Sequence, residues 1–84
     1  MSRRILITGG ASGIGRVIAN SFQSLGDHIA VCDKSLDNIK KLRLEMPKSL
    51  IVNADVTQEN QMKSFFEEVM DCFGGIDVLI SNAG

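Results

Sequence analysis

The chain has 84 residues, 44% of them hydrophobic and 23% charged, a composition that suits one small globular domain and excludes a disordered chain. Nine Lys and Arg against ten Asp and Glu give a formal charge of −1, which offers no electrostatic basis for binding nucleic acid or an anionic membrane. Tyr and Trp are both absent, so no phenol is available within these residues as a catalytic acid or base.

The start, Met1-Ser2-Arg3-Arg4, is basic, but only Ile5-Leu6-Ile7 follows. Three apolar residues fall short of the roughly 7–15 of a signal-peptide core, and no apolar run approaches the roughly 20 residues of a membrane span. Arg4–Thr8 therefore reads as a first strand, its continuous apolar residues suggesting burial on both faces. Ile14, Val17, Ile18, Phe22 and Leu25 then recur at helical spacing, with Gly26 placed to close the helix. His28–Cys32 is a second strand, ended by Asp33. Ser35 is placed to cap a second helix, with Asp37 in its first turn, an apolar stripe of Leu36, Ile39, Leu42 and Met46, and a stop at Pro47. Ser49–Val52 is a third strand. Thr57 is expected to cap a third helix, whose stripe of Met62, Phe65, Phe66, Val69, Met70 and Phe73 is the strongest periodic signal and reads as core. Gly74-Gly75 ends it, and Asp77–Ile80 is a fourth strand. The order βαβαβαβ predicts an α/β fold: an open parallel sheet of Rossmann type with helices on both faces, covering residues 1–84.

Cys32 and Cys72 are too few for a disulfide scaffold and read as free thiols in packed apolar surface, consistent with a reducing, cytoplasmic setting. His28 is the one histidine, which argues against a zinc site.

The segment Thr8-Gly9-Gly10-Ala11-Ser12-Gly13-Ile14-Gly15 joins the first strand to the first helix. Glycines there let backbone approach a ligand closely, and the helix N-terminus that follows favours an anion such as a pyrophosphate. Spacing excludes a Walker A loop, because Arg16-Val17 stands where Lys and Ser or Thr are required. It also excludes GxGxxG, because Ile18 occupies the third glycine position. The pattern present is TGxxxGxG. Asp33 closes the second strand and is placed to accept hydrogen bonds from a ribose. Asp55-Val56 at the end of the third strand suits an adenine pocket. Ser81-Asn82-Ala83-Gly84 follows the fourth strand. If that strand lies beside the first, these small residues border the point where strand order reverses, and Asn82 can bond backbone on both sides.

Taken in order, TGGASGIG, Asp33, Asp55-Val56 and Asn82-Ala83-Gly84 resemble the single-domain branch of the short-chain dehydrogenase/reductase family, over all 84 residues but only the N-terminal, cofactor-binding portion of a member. The resemblance implies that Gly9, Ser12, Gly13, Ile14 and Gly15 hold the pyrophosphate and ribose of a nicotinamide dinucleotide. It further implies that Asp33 selects NAD, that Asp55 and Val56 contact adenine, and that Asn82, Ala83 and Gly84 line the cofactor cleft. NADP is the alternative, because Arg16 and Lys34 could pair with a 2′-phosphate. The family transfers hydride between nicotinamide and an alcohol or carbonyl substrate, using a serine and a YxxxK pair that lie after the Asn-Ala-Gly motif. These 84 residues are therefore expected to form the cofactor-binding portion, to bind NAD weakly if at all in isolation, and not to catalyse, in a family whose complete members commonly form homo-oligomers. The competing readings are a non-catalytic nucleotide-binding module, an inactive truncated product, or a different nucleotide-using enzyme. A further expectation is that Val78, Leu79 and Ile80 lie on an unpaired sheet edge, beside a face short of covering helices.

Overall fold

A computed structural model describes residues 2–82. Four parallel strands, β1 (Arg4–Thr8), β2 (His28–Asp33), β3 (Leu50–Asn53) and β4 (Val78–Ser81), form one sheet in the order β3-β2-β1-β4. The helices α1 (Gly13–Ser24), α2 (Leu36–Glu45) and α3 (Glu59–Phe73) link them in the expected alternation. Strand order runs outward from β1 in both directions: β2 and β3 extend one way and β4 lies on the other side.

The pleat explains how one strand feeds two cores. Ile5 and Ile7 of β1 join Ile29 and Val31 of β2 under Ala19 of α1 and Ile39 and Leu42 of α2. Leu6, Ala30 and Cys32 point to the other face, where Phe65 and Val69 of α3 cover them. Successive side chains of a strand point to opposite faces, so continuous apolar residues require helices on both sides.

Each helix end has a local cause. The Ser35 hydroxyl accepts from the Asn38 N–H at 3.3 Å and caps α2. Gly74, in the left-handed region at φ 74°, caps α3 and donates its N–H to the Met70 carbonyl at 2.8 Å. Thr57 does not cap α3. Its N–H and hydroxyl both donate to Asp55 Oδ1, at 2.9 and 2.8 Å, and Gln58 takes the N-cap position instead.

Two ion pairs pin the amino ends of the strands. Arg3 donates from its N–H and its guanidinium to Asp27, which precedes β2. Arg4 does the same to Asp77, which precedes β4. Each aspartate thus fixes backbone and side chain together, at the end of the sheet opposite the glycine loop. Arg4 holds the Asp77 carboxyl at a pKa of about 2 through these hydrogen bonds.

Cys32 lies fully buried, and desolvation raises its thiol to a pKa of about 11. Cys72 is exposed on α3 and is no part of the packed surface expected for it. Both thiols are free. Among the described residues, no helix is long and apolar enough to cross a membrane.

Candidate functional site

Every loop that leaves the carboxyl end of a strand contributes to one cleft of about 400 Å³. Gly9, Ser12, Gly13 and Ile14 come from the β1–α1 loop, Asp33 and Lys34 from the end of β2, Ala54 to Thr57 from the β3–α3 loop, and Asn82 from the end of β4. Ligands of open α/β sheets bind where strand order reverses, and here that point lies between β1 and β4.

The glycine loop is folded back onto the sheet. Gly9 and Gly10 both donate their N–H groups to the Cys32 carbonyl, at 2.8 and 3.3 Å. Gly13 opens α1 at φ 57°, a conformation that disfavours any side chain. Gly15 does not line the cleft; it is the packing contact beneath it. A Cβ there would lie 2.3 Å from the Gly9 carbonyl oxygen and 2.6 Å from Asn82 Nδ2. That close approach lets the helix start directly under the loop. Ser12 occupies the N-cap position of α1 without forming a side-chain cap, and the first turn carries no acidic residue. The N–H groups of Gly13, Ile14 and Gly15 precede the first helical bond, from Arg16 N–H to the Ser12 carbonyl, so the positive end of the helix meets the cleft uncapped.

Asp33 ties three walls together. Its Oδ2 accepts from the Ala11 N–H at 3.2 Å and its Oδ1 from the Ser35 N–H at 2.9 Å. Its carbonyl accepts from the Ala54 N–H at 3.0 Å and from Asn53 Nδ2 at 2.9 Å. One residue therefore joins the glycine loop, the start of α2 and the loop after β3. Asn82 closes the fourth wall: its N–H donates to the Thr8 carbonyl and hydroxyl, both at 3.2 Å, and its Nδ2 donates to the Gly9 carbonyl at 3.0 Å. The sequence places Asn82 to bond backbone on both sides; among the described residues its bonds go to Thr8 and Gly9, on the β1 side. Ala83 and Gly84, also expected to line the cleft, lie outside the described residues.

Asp55 and Val56 stand in the cleft wall as expected. The Thr57 hydrogen bonds lower the Asp55 pKa and keep the carboxylate ionised. Arg16 pairs with Glu45 and does not line the cleft, whereas Lys34 does. Sequence reasoning missed Thr57 as a lining residue by assigning it to a helix cap. The signal was Asp55 two positions earlier, since an Asp side chain readily accepts from the N–H two residues on.

A parallel sheet with this loop, an uncapped helix start and acidic residues at the end of β2 and in the loop after β3 defines an α/β protein of Rossmann type. The family is fixed by comparison: residues 3–84 match the short chain dehydrogenase family model, and the chain belongs to that family. It is 37% identical over 90 residues to YuxG, an uncharacterised oxidoreductase of Bacillus subtilis, covering 99% of this chain and 13% of that protein. It is 32% identical over 80 residues to mouse L-fucose dehydrogenase, covering 95% of this chain and 29% of that enzyme. The solved 3-ketoacyl-(acyl-carrier-protein) reductase of Brucella melitensis, complexed with NADH, superposes with a TM-score of 0.85 at 28% identity, covering 92% of this chain and 32% of that one. The chain thus spans less than a third of the length of each of these three relatives.

Proposed function

We propose that the protein is an NAD-dependent oxidoreductase that moves hydride between the nicotinamide cofactor and an alcohol or carbonyl substrate, and that these 84 residues bind the adenosine and pyrophosphate end of the cofactor. The observation that carries this reading is the cradle itself. The uncapped start of α1 and the glycine loop face Asp33 and Asp55 across one cleft. Gly9, Ser12, Gly13 and Ile14 would hold the pyrophosphate by backbone N–H groups and the helix dipole. Gly15 supports them from below and Asn82 from the side. Asp33 would accept from the ribose hydroxyls, and Asp55 and Val56 would border the adenine. The bound cofactor supplies hydride chemistry. With no tyrosine among the 84 residues, proton transfer from a phenol is not theirs, and their part is to bind and orient. The two free thiols support a reducing, cytoplasmic setting.

Cofactor choice follows from charge. Asp33 repels a 2′-phosphate and accepts from a 2′-hydroxyl, and Arg16, occupied by Glu45, gives no counter-charge. Calorimetric titration of the intact protein should show NADH binding at least tenfold tighter than NADPH, with Asp33→Ala losing most of that margin. Equal or tighter NADPH binding by the unmutated protein would assign the selecting role to Lys34 instead and refute the NAD reading.

A further inference from the structure

The Asp55–Val56 wall is held from behind by a residue that does not line the cleft. Gln61, in the first turn of α3, reaches back so that its Oε1 accepts from the Asp55 N–H at 2.9 Å. The Asp55 carbonyl accepts from the Gln58 N–H at 3.0 Å, and Oδ1 accepts from both donors of Thr57. The loop thus commits the N–H, the carbonyl and one carboxylate oxygen of Asp55, and among the described residues Oδ2 accepts no hydrogen bond. We propose that Gln61 is a positioning residue: it sets where Asp55 stands and so makes the cleft select a purine that bears an exocyclic amine. This rests on the nucleotide reading above.

The argument is one of anchorage. Ala54 is fixed to the sheet through the Asp33 carbonyl, and Gln58 begins α3. Between them, Gln61 supplies the bond that ties the main-chain N–H of Asp55 to the helix. Without it that N–H turns to water and the carboxylate swings with the loop. An ionised carboxylate can only accept. Held in place, it favours the amine of adenine and disfavours the carbonyl that hypoxanthine presents at the same position. Released, it contacts either base less specifically.

The test compares NADH with its hypoxanthine analogue on the intact protein, by binding titration, for the unmutated chain, Gln61→Leu and Gln61→Glu. A neutral hydrogen bond of ordinary strength predicts that Gln61→Leu lowers the adenine-to-hypoxanthine preference roughly three- to tenfold. Gln61→Glu, which keeps an acceptor oxygen, should retain most of it. Amide exchange at Asp55 should quicken in Gln61→Leu and not in Gln61→Glu. Equal weakening of both dinucleotides in Gln61→Leu means a merely structural role and overturns the proposal, as does an unchanged preference. Failure of the unmutated protein to bind either dinucleotide overturns the cofactor reading, and this proposal with it.

Discussion

Gly15 is the position where a single methyl group decides most. Ala is the better helix former by about 1 kcal/mol, so propensity alone favours Gly15→Ala. The added carbon, however, would meet the Gly9 carbonyl at 2.3 Å, and Asn82 Nδ2 holds that carbonyl in place. Overpacking against fixed backbone costs roughly 1–3 kcal/mol and outweighs the propensity gain. Gly15→Ala is therefore expected to lower the urea midpoint of the intact protein and to weaken NADH binding at least tenfold. An unchanged midpoint would show that the loop yields cheaply. Asp33 presents the opposite case, because the ligand-facing role proposed for it rests on its place at the end of β2, whereas its structural role is not legible there. Four hydrogen bonds from three separate segments converge on it, and no local pattern of residues announces that convergence.

At the scale of elements, all seven appear in the order read from the sequence, and the differences cluster at their ends. Asp33 extends β2 by one polar residue, and β3 and β4 each shift by one, to end on Asn53 and Ser81 and to begin at Leu50 and Val78, since ladder hydrogen bonds need only backbone and Asp33 pairs with Asn53. The apolar stripes misplace part of the core. Ile14 and Val17 of α1 are 72% and 65% exposed, while Gly15 and Ala19 are the residues that α1 buries. Close packing of a helix on a sheet favours small residues, which a count of large apolar ones overlooks. In α3 the centre of the stripe, Phe65 and Val69, is core, but Phe66 and Met70 on its flank are exposed. The ion pairs at the amino ends give this scale its pH dependence. Asp77 is depressed to a pKa of about 2 by Arg4, against roughly 3.9 for an unfolded Asp. Its contribution is complete above about pH 4 and is lost as pH falls towards 2. The gap in urea midpoint between the unmutated protein and Asp77→Asn should be widest at pH 6 and should narrow by pH 2.5. A gap that stays constant would contradict the pairing.

For the whole molecule, the two sheet edges are treated differently. Along β3, the Arg43 guanidinium donates to the Ile51 carbonyl at 2.9 Å, placing a charge on that edge. β4 forms the other edge and Leu79, on the same face as Leu6, is 57% exposed beside it. The face is covered in part: α3 lies over β2, so the expectation of a face short of helices holds only near β4. Bare edges with apolar side chains template pairing between chains. The 84-residue polypeptide at micromolar concentration should self-associate in sedimentation velocity, and Leu79→Lys should restore the monomer. Val78 and Ile80 are poorer probes, since both pack on the core beneath α1 and α2. A single sharp monomer without the substitution would refute the prediction. The central place of β1 also has a consequence in time. It is made before its partners: His28 pairs 24 residues after Arg4, and Val78 pairs 73 residues after Ile5. At synthesis rates of about 5–20 residues per second, the β4 side of β1 waits about 4–15 s on the ribosome for its partner. Among these four strands, the most buried is thus the one whose backbone stays bare longest during its making.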